Sequence, residues 1–108
     1  MNTSMKSKTN KTIIDVLRKN MKLFSSFDSV YLFGSTLIND KVPNDIDVLI
    51  VYSEYTNKIK DEVKRISSVL EDICKIPVDL TVLSVQELQD TDFLNKIALY
   101  LKLKKKMF

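Results

Sequence analysis

Between residues 10 and 24, Ile13, Ile14, Leu17, Met21 and Phe24 recur at near-helical spacing behind Asn10, a residue type suited to an N-cap, and predict an amphipathic helix over 11–24. Two runs of strand character follow. One is "SVYLF" at 29–33, ended by a glycine; the other is "DIDVLIVY" at 45–52, whose β-branched later half predicts burial on both faces. Over 56–75, Ile59, Val63, Ile66, Val69, Leu70 and Ile73 form one stripe opposite charged positions, a second helix. Pro77 closes that helix and opens a third strand, "VDLTVL". Ser84 and Glu87 have the spacing of a capping box that starts a short helix, and "DFLNKIALYLKLKK" at 92–105 predicts a last one. Its segment "IALYLKL" is apolar nearly all round, so it is expected either to pack within its own domain or to be covered by a partner.

The connections set the topology. A long helix between the second and third strands suits a crossover and a parallel pair, whereas the short link between the first and second suits an antiparallel one. The expected fold is therefore α/β in the α+β sense, a mixed sheet of about three core strands flanked by helices. In that arrangement the C-terminal end of the first strand, with Gly34 and Ser35, meets the N-terminal ends of the others, with Asp45, Asp47 and Asp79.

Length and composition narrow the chemistry. A chain of 108 residues that is 44% hydrophobic and 29% charged suits one folded domain, expected over 10–104, with a disordered N-terminal tail over 1–9 and a C-terminal tail over 105–108. Runs such as "VLIVY" are far below the roughly 18 apolar residues of a membrane span, and no apolar stretch follows the N-terminal lysines, so a cytoplasmic protein without membrane contact is expected. The one cysteine, Cys74, cannot form an internal disulfide and reads as a buried or half-buried thiol. With no histidine, the chain cannot assemble Ser-His-Asp or Cys-His catalysis or a Cys/His zinc site from its own side chains. Carboxylates, hydroxyls, lysines or a hard metal ion remain. The net charge of +3 is concentrated near the two ends, at Lys6, Lys8, Lys11, Arg18, Lys19 and Lys22 and at Lys102, Lys104, Lys105 and Lys106. Such runs read first as solvated surface and second as attraction to nucleic acid or nucleotide phosphates.

Alternation along a strand turns Asp45 and Asp47 to one side while Ile46, Val48 and Ile50 turn to the other. Asp79 interrupts an apolar run, where an unpaired charge is costly, and no lysine or arginine lies within two residues of any of the three. Three like charges at one sheet end call for a cation. Hard oxygen ligands, few in number, suit Mg²⁺, which keeps several waters and takes further oxygens from substrate phosphates. Gly34, the only glycine in the chain, then lets the backbone approach a phosphate beside the Ser35 hydroxyl. The loop "NDKVPNDID" lacks the mid-loop glycine and terminal glutamate of an EF-hand.

These residues together resemble the nucleotidyltransferase superfamily typified by DNA polymerase β, and more closely its small stand-alone members, the minimal nucleotidyltransferases (MNT proteins). Their pattern is a strand ending in G-S, a short loop, D-x-D, and a third acidic residue on a later strand; here these are Gly34 and Ser35, Asp45 and Asp47, and Asp79, within a similarity spanning roughly 11–101. The resemblance implies the nucleotidyltransferase fold and transfer of a nucleoside monophosphate from an NTP to an acceptor hydroxyl, with pyrophosphate leaving. Asp45 and Asp47 would hold two Mg²⁺ ions, Asp79 would complete the second site and help remove the proton, and Gly34 and Ser35 would bind the β/γ-phosphates. It further implies ATP as donor and a protein acceptor, a HEPN-type toxin, as in MNT antitoxins; a second copy of the chain, in a homo-oligomer, is the alternative partner. The chain departs from the pattern between Ser35 and Asp45, where nine residues intervene and ten are commoner, "TLI" stands in place of a basic residue and Asn39 in place of a glycine, leaving Lys41 as a substitute cation. A second reading is accordingly a catalytically weak binding module, or half of a two-subunit enzyme, that neutralises its partner by contact. A third, small-molecule nucleotidylation, calls for substrate-binding structure beyond this length.

Overall fold

Asn20 ends the first helix early. Its side-chain amide donates to the carbonyl of Val16 at 2.7 Å, and its backbone N–H is shared between Val16 and Leu17, so α1 (Asn10–Lys19) tightens into a 3-10 turn over Met21–Phe24. The single helix expected over 11–24 is thus two pieces, both turned inward through Ile13, Leu17 and Phe24. The computed structural model describes residues 10–38, 43–97 and 99–105, and the order that follows is β1 (Ser29–Phe33), α2 (Ser35–Ile38), β2 (Ile46–Tyr52), α3 (Asn57–Cys74), β3 (Val78–Ser84), α4 (Val85–Thr91), α5 (Phe93–Ile97) and β4 (Tyr100–Lys105). The expected N-terminal tail, the loop residues Asn39 and Lys41, and residues 106–108 lie outside the described residues.

The sheet has four strands in the order β3-β2-β1-β4. As the connection lengths predict, β1 and β2 are antiparallel and β2 and β3 parallel. The fourth strand corrects the sequence reading, which placed a helix over 92–105. Asp92, at φ 55°, ends α4, α5 lasts one turn and a half, and "YLKLKK" then pairs antiparallel with β1. Leu101 and Leu103 pack against the core while Tyr100 and Lys102 alternate with them, a period of two that the high apolar content disguised. Pairing of β1 on both edges also explains why its first four residues are all buried.

Two layers cover the sheet. On one face α1 and α3 bury Ile13, Leu17, Ile66 and Leu70 against Val30, Leu32, Ile46, Val48 and Ile50. On the other, Tyr31, Leu49 and Val51 meet Leu88, Phe93 and Leu94 from α4 and α5. Cys74 is buried at the end of α3, as expected. α4 starts with the predicted capping box: the Glu87 N–H donates to Ser84 Oγ at 3.0 Å and the Ser84 N–H to Glu87 Oε1 at 2.9 Å. Ser84→Ala is expected to destabilise the chain by about 1 kcal/mol in urea unfolding, with no change in the m-value.

Candidate active site

Strand register fixes the site. Phe33 lies opposite Asp47 across the β1/β2 pair, Asp47 is in register with Asp79 across β2/β3, and Phe33 is in register with Tyr100 across β1/β4. A single row therefore runs Tyr100, Phe33, Asp47, Asp79 across the sheet, and paired residues in such a row project to the same face. Phe33 is braced by an edge-to-face contact with Phe93 at 5.6 Å, and the Tyr100 ring similarly meets Tyr31 at 5.4 Å.

The start of β2 is pinned to the residue before β3, and the start of β3 to α3. The Ile46 N–H donates to the Pro77 carbonyl at 2.9 Å, and the Val78 N–H donates to Glu71 Oε2 at 2.8 Å. These bonds hold the two residues that immediately precede Asp47 and Asp79. Gly34 follows Phe33 at φ 80°, a backbone conformation that L side chains rarely adopt, and its carbonyl accepts from the Leu37 N–H at 3.0 Å to start α2. A Cβ at this position would stand 3.1 Å from Cγ and 3.2 Å from Cβ of Asp47, and closer still to Oδ2. The glycine is needed both for its dihedral angle and because the Asp47 carboxylate occupies the space beside it.

Asp47 is half-buried, while Asp45, one residue before β2, and Asp79 are exposed. Burial pushes the Asp47 carboxyl above its ordinary range, and the charges of Asp45 and then Asp79 push it further the same way. None of the three has an ion-pair partner among the described residues, where the ion pair present is Lys75 with Asp72. Nor, among those residues, are three acidic side chains drawn together closely enough to enclose one ion. The arrangement is an open row centred on Asp47. Such a donor set fits Mg²⁺, a hard cation satisfied by one or two carboxylates with water and phosphate oxygens completing its shell.

Ser35 opens α2 and is partly exposed. Thr36, which the sequence did not single out, is 1% exposed, and its Oγ1 has no hydrogen-bond partner among the described residues. A second hydroxyl directly after Ser35 was the available signal. Ile38, Leu99 and Tyr100 are exposed apolar side chains at the same end of the sheet.

Residues 11–105 match the family described as polymerase beta, nucleotidyltransferase. The chain belongs to that family. In fold it is similar to a chain in the structure of a tri-AMPylated HEPN toxin in complex with MNT antitoxin from Shewanella oneidensis, at 15% identity and a TM-score of 0.59 over 91% of this chain and 74% of that one. A mutant MntA-HpeT toxin-antitoxin structure gives 18% identity and a TM-score of 0.57 over 92% and 75%. A further structure from Shewanella oneidensis gives 19% and 0.55 over 87% and 71%. No curated protein sequence matches. Among the described residues no helix is long and apolar enough to cross a membrane.

Proposed function

We propose that this chain is a Mg²⁺-dependent, cytoplasmic nucleotidyltransferase that moves AMP from ATP to a hydroxyl on a protein acceptor of the HEPN-toxin kind, in the manner of an MNT antitoxin. The observation that carries the reading is the close approach of Gly34 to Asp47, with Asp79 in register beyond it. A backbone position suited to phosphate and a carboxylate suited to a metal thereby lie side by side. The solved toxin-antitoxin structures of similar fold support the partner class.

Across the sheet the order is Asp79 on β3, Asp47 on β2 and Gly34 at the end of β1. This order suits an in-line displacement, with the acceptor on the β3 side and the leaving group on the β1 side. Asp45 and Asp47 would hold the metal. Bound Mg²⁺ would neutralise the triphosphate and lower the pKa of the acceptor hydroxyl. Asp79 accepts the acceptor's proton as its oxygen bonds to the α-phosphorus. Ser35 Oγ and the backbone beside Gly34 hold the β/γ-phosphates as the bond between the α-phosphorus and its bridging oxygen breaks, pyrophosphate taking the electron pair.

One observation favours the binding-module reading: Ile38 is 68%, Leu99 51% and Tyr100 38% exposed at the site's end of the sheet, an apolar rim suited to contact with a protein. Incubation of the chain and its partner with Mg²⁺ and ATP labelled at the α-phosphate separates the two. Label on the partner that disappears with Asp45→Asn supports transfer. Tight association without label, unchanged by that substitution, sinks the enzyme and leaves the contact module; label arriving only from γ-phosphate identifies a kinase.

A further inference from the structure

One lysine of the C-terminal basic run reaches the N-terminal part of the chain at the end of the sheet away from the carboxylates. Lys104 Nζ donates to the Phe24 carbonyl at 2.9 Å, tying β4 to the 3-10 turn. The Asp28 N–H donates to the Val51 carbonyl, and Val51 is in register with Ser29, so this end lies four residues along the strands from the row of Asp47, about 13 Å. Directly beside Phe24 a cleft of about 250 Å³ opens between the end of α1, the 3-10 turn and α3. Lys19, Lys22 and Arg65 line it, with Asn20 and Ser25 as neutral hydrogen-bonding groups and Glu62 as the acidic member.

The charges in this cleft are not balanced internally. Glu62 Oε2 accepts from Ser26 Oγ at 2.9 Å, and its Oε1 is shielded from solvent with no hydrogen-bond partner among the described residues. That bond ties the segment after the 3-10 turn to α3 and so holds two walls of the cleft together. No ion pair joins Glu62 to Lys19, Lys22 or Arg65 among the described residues. Lys19 has a structural role of its own in the last turn of α1, where a cation meets the negative end of the helix dipole. Lys22 lies in the short 3-10 turn, and neither it nor Arg65 has an ion-pair partner among the described residues. They reach the cleft from separate elements, so their donors approach from different directions. A tetrahedral phosphate accepts such a set better than a planar carboxylate does, and arginine in particular offers a fork of donors to phosphate oxygens.

We infer that this cleft is a second anion site, which binds a phosphate ester through Arg65 and Lys22 independently of the carboxylate end. The phosphate comes either from a nucleic-acid strand or from a free nucleotide. Separation of basic and acidic ends lets a polyanion be held without approaching Asp45, Asp47 and Asp79. The inference does not depend on the nucleotidyltransferase reading.

The test is fluorescence anisotropy of the full chain in EDTA, which silences metal-dependent binding at the other end. A labelled oligouridylate and labelled AMP serve as the two probes, each measured at about 50 and about 200 mM salt. Binding of either probe, weakened about tenfold by Arg65→Ala and by Lys22→Ala, unaffected by Asp47→Asn and falling with salt, is expected. Binding of the oligomer alone assigns the phosphate to a strand; equal contacts to AMP assign it to a nucleotide. Thermal midpoints of both variants check that they remain folded, and the two substitutions lie on different elements so that one failing does not remove the test. Absence of binding by both probes overturns the inference, as does binding indifferent to both variants. Equal competition by a polyglutamate peptide also overturns it, in favour of an acidic protein segment.

Discussion

Replacing Asp47 with asparagine is expected to raise the thermal midpoint of the metal-free chain at neutral pH and, in the same molecule, to abolish nucleotidyl transfer. The two effects share a cause. The Asp47 carboxyl is held above its ordinary value of 3.8 by burial, by Asp45 and by Asp79, in that order. A raised value in the folded state means that folding favours the protonated form. This contribution to stability is fully present below the unfolded value and is lost as pH rises through the raised folded one. At neutral pH the repulsion is therefore in place, and asparagine, of the same shape and uncharged, removes it. The midpoint of the wild-type chain without metal should fall, relative to that of Asp47→Asn, as pH rises from about 4 to about 7. Mg²⁺ should then raise the wild-type midpoint and leave the variant's nearly unchanged. Activity should drop by at least about 10³-fold, since on the proposed function the substitution removes a metal ligand as well as a charge. A variant less stable than wild type at pH 7 would show instead that the carboxylate is a structural hydrogen-bond acceptor.

Gly34→Ala is expected to act on stability and activity in the same direction. Alanine at φ 80° carries backbone strain, and its Cβ would press on the Asp47 side chain. Together these amount to about 2 kcal/mol, a fall of roughly 10 °C in the midpoint of a domain this size. Relief requires Asp47 to move, so metal-dependent transfer should be lost even at temperatures where the variant is folded. Combining Gly34→Ala with Asp47→Ala provides the internal check: the double variant should recover part of the midpoint and none of the activity. A double variant no more stable than Gly34→Ala would place the cost in the backbone alone.

Much of this site can be read from local pattern because strands impose a strict alternation. The spacing of Asp45 and Asp47, the burial of Ile46 between them, and the antiparallel and parallel connections all follow from positions in sequence. The fourth strand does not. Leu99, Tyr100, Leu101 and Leu103 supply apolar content that fits either period, and only the empty edge of β1 decides for a strand. Nor is the second reason for Gly34 local. Its contact with Asp47 crosses between strands, and depends on a register that the sequence does not print. The basic cleft is missed for the same reason, since Lys22 and Arg65 are 43 positions apart in numbering and meet only when α3 packs beside the 3-10 turn.

On the proposed function, the carboxylate end of the sheet binds a metal-bridged triphosphate. Calorimetric titration with an ATP analogue carrying a methylene group between its α- and β-phosphates, in the presence and absence of Mg²⁺, reads this without requiring an acceptor. Saturable binding that requires Mg²⁺ and disappears in both Asp45→Asn and Asp47→Asn is the predicted result. Binding of equal strength without Mg²⁺, or undiminished by either substitution, would contradict it.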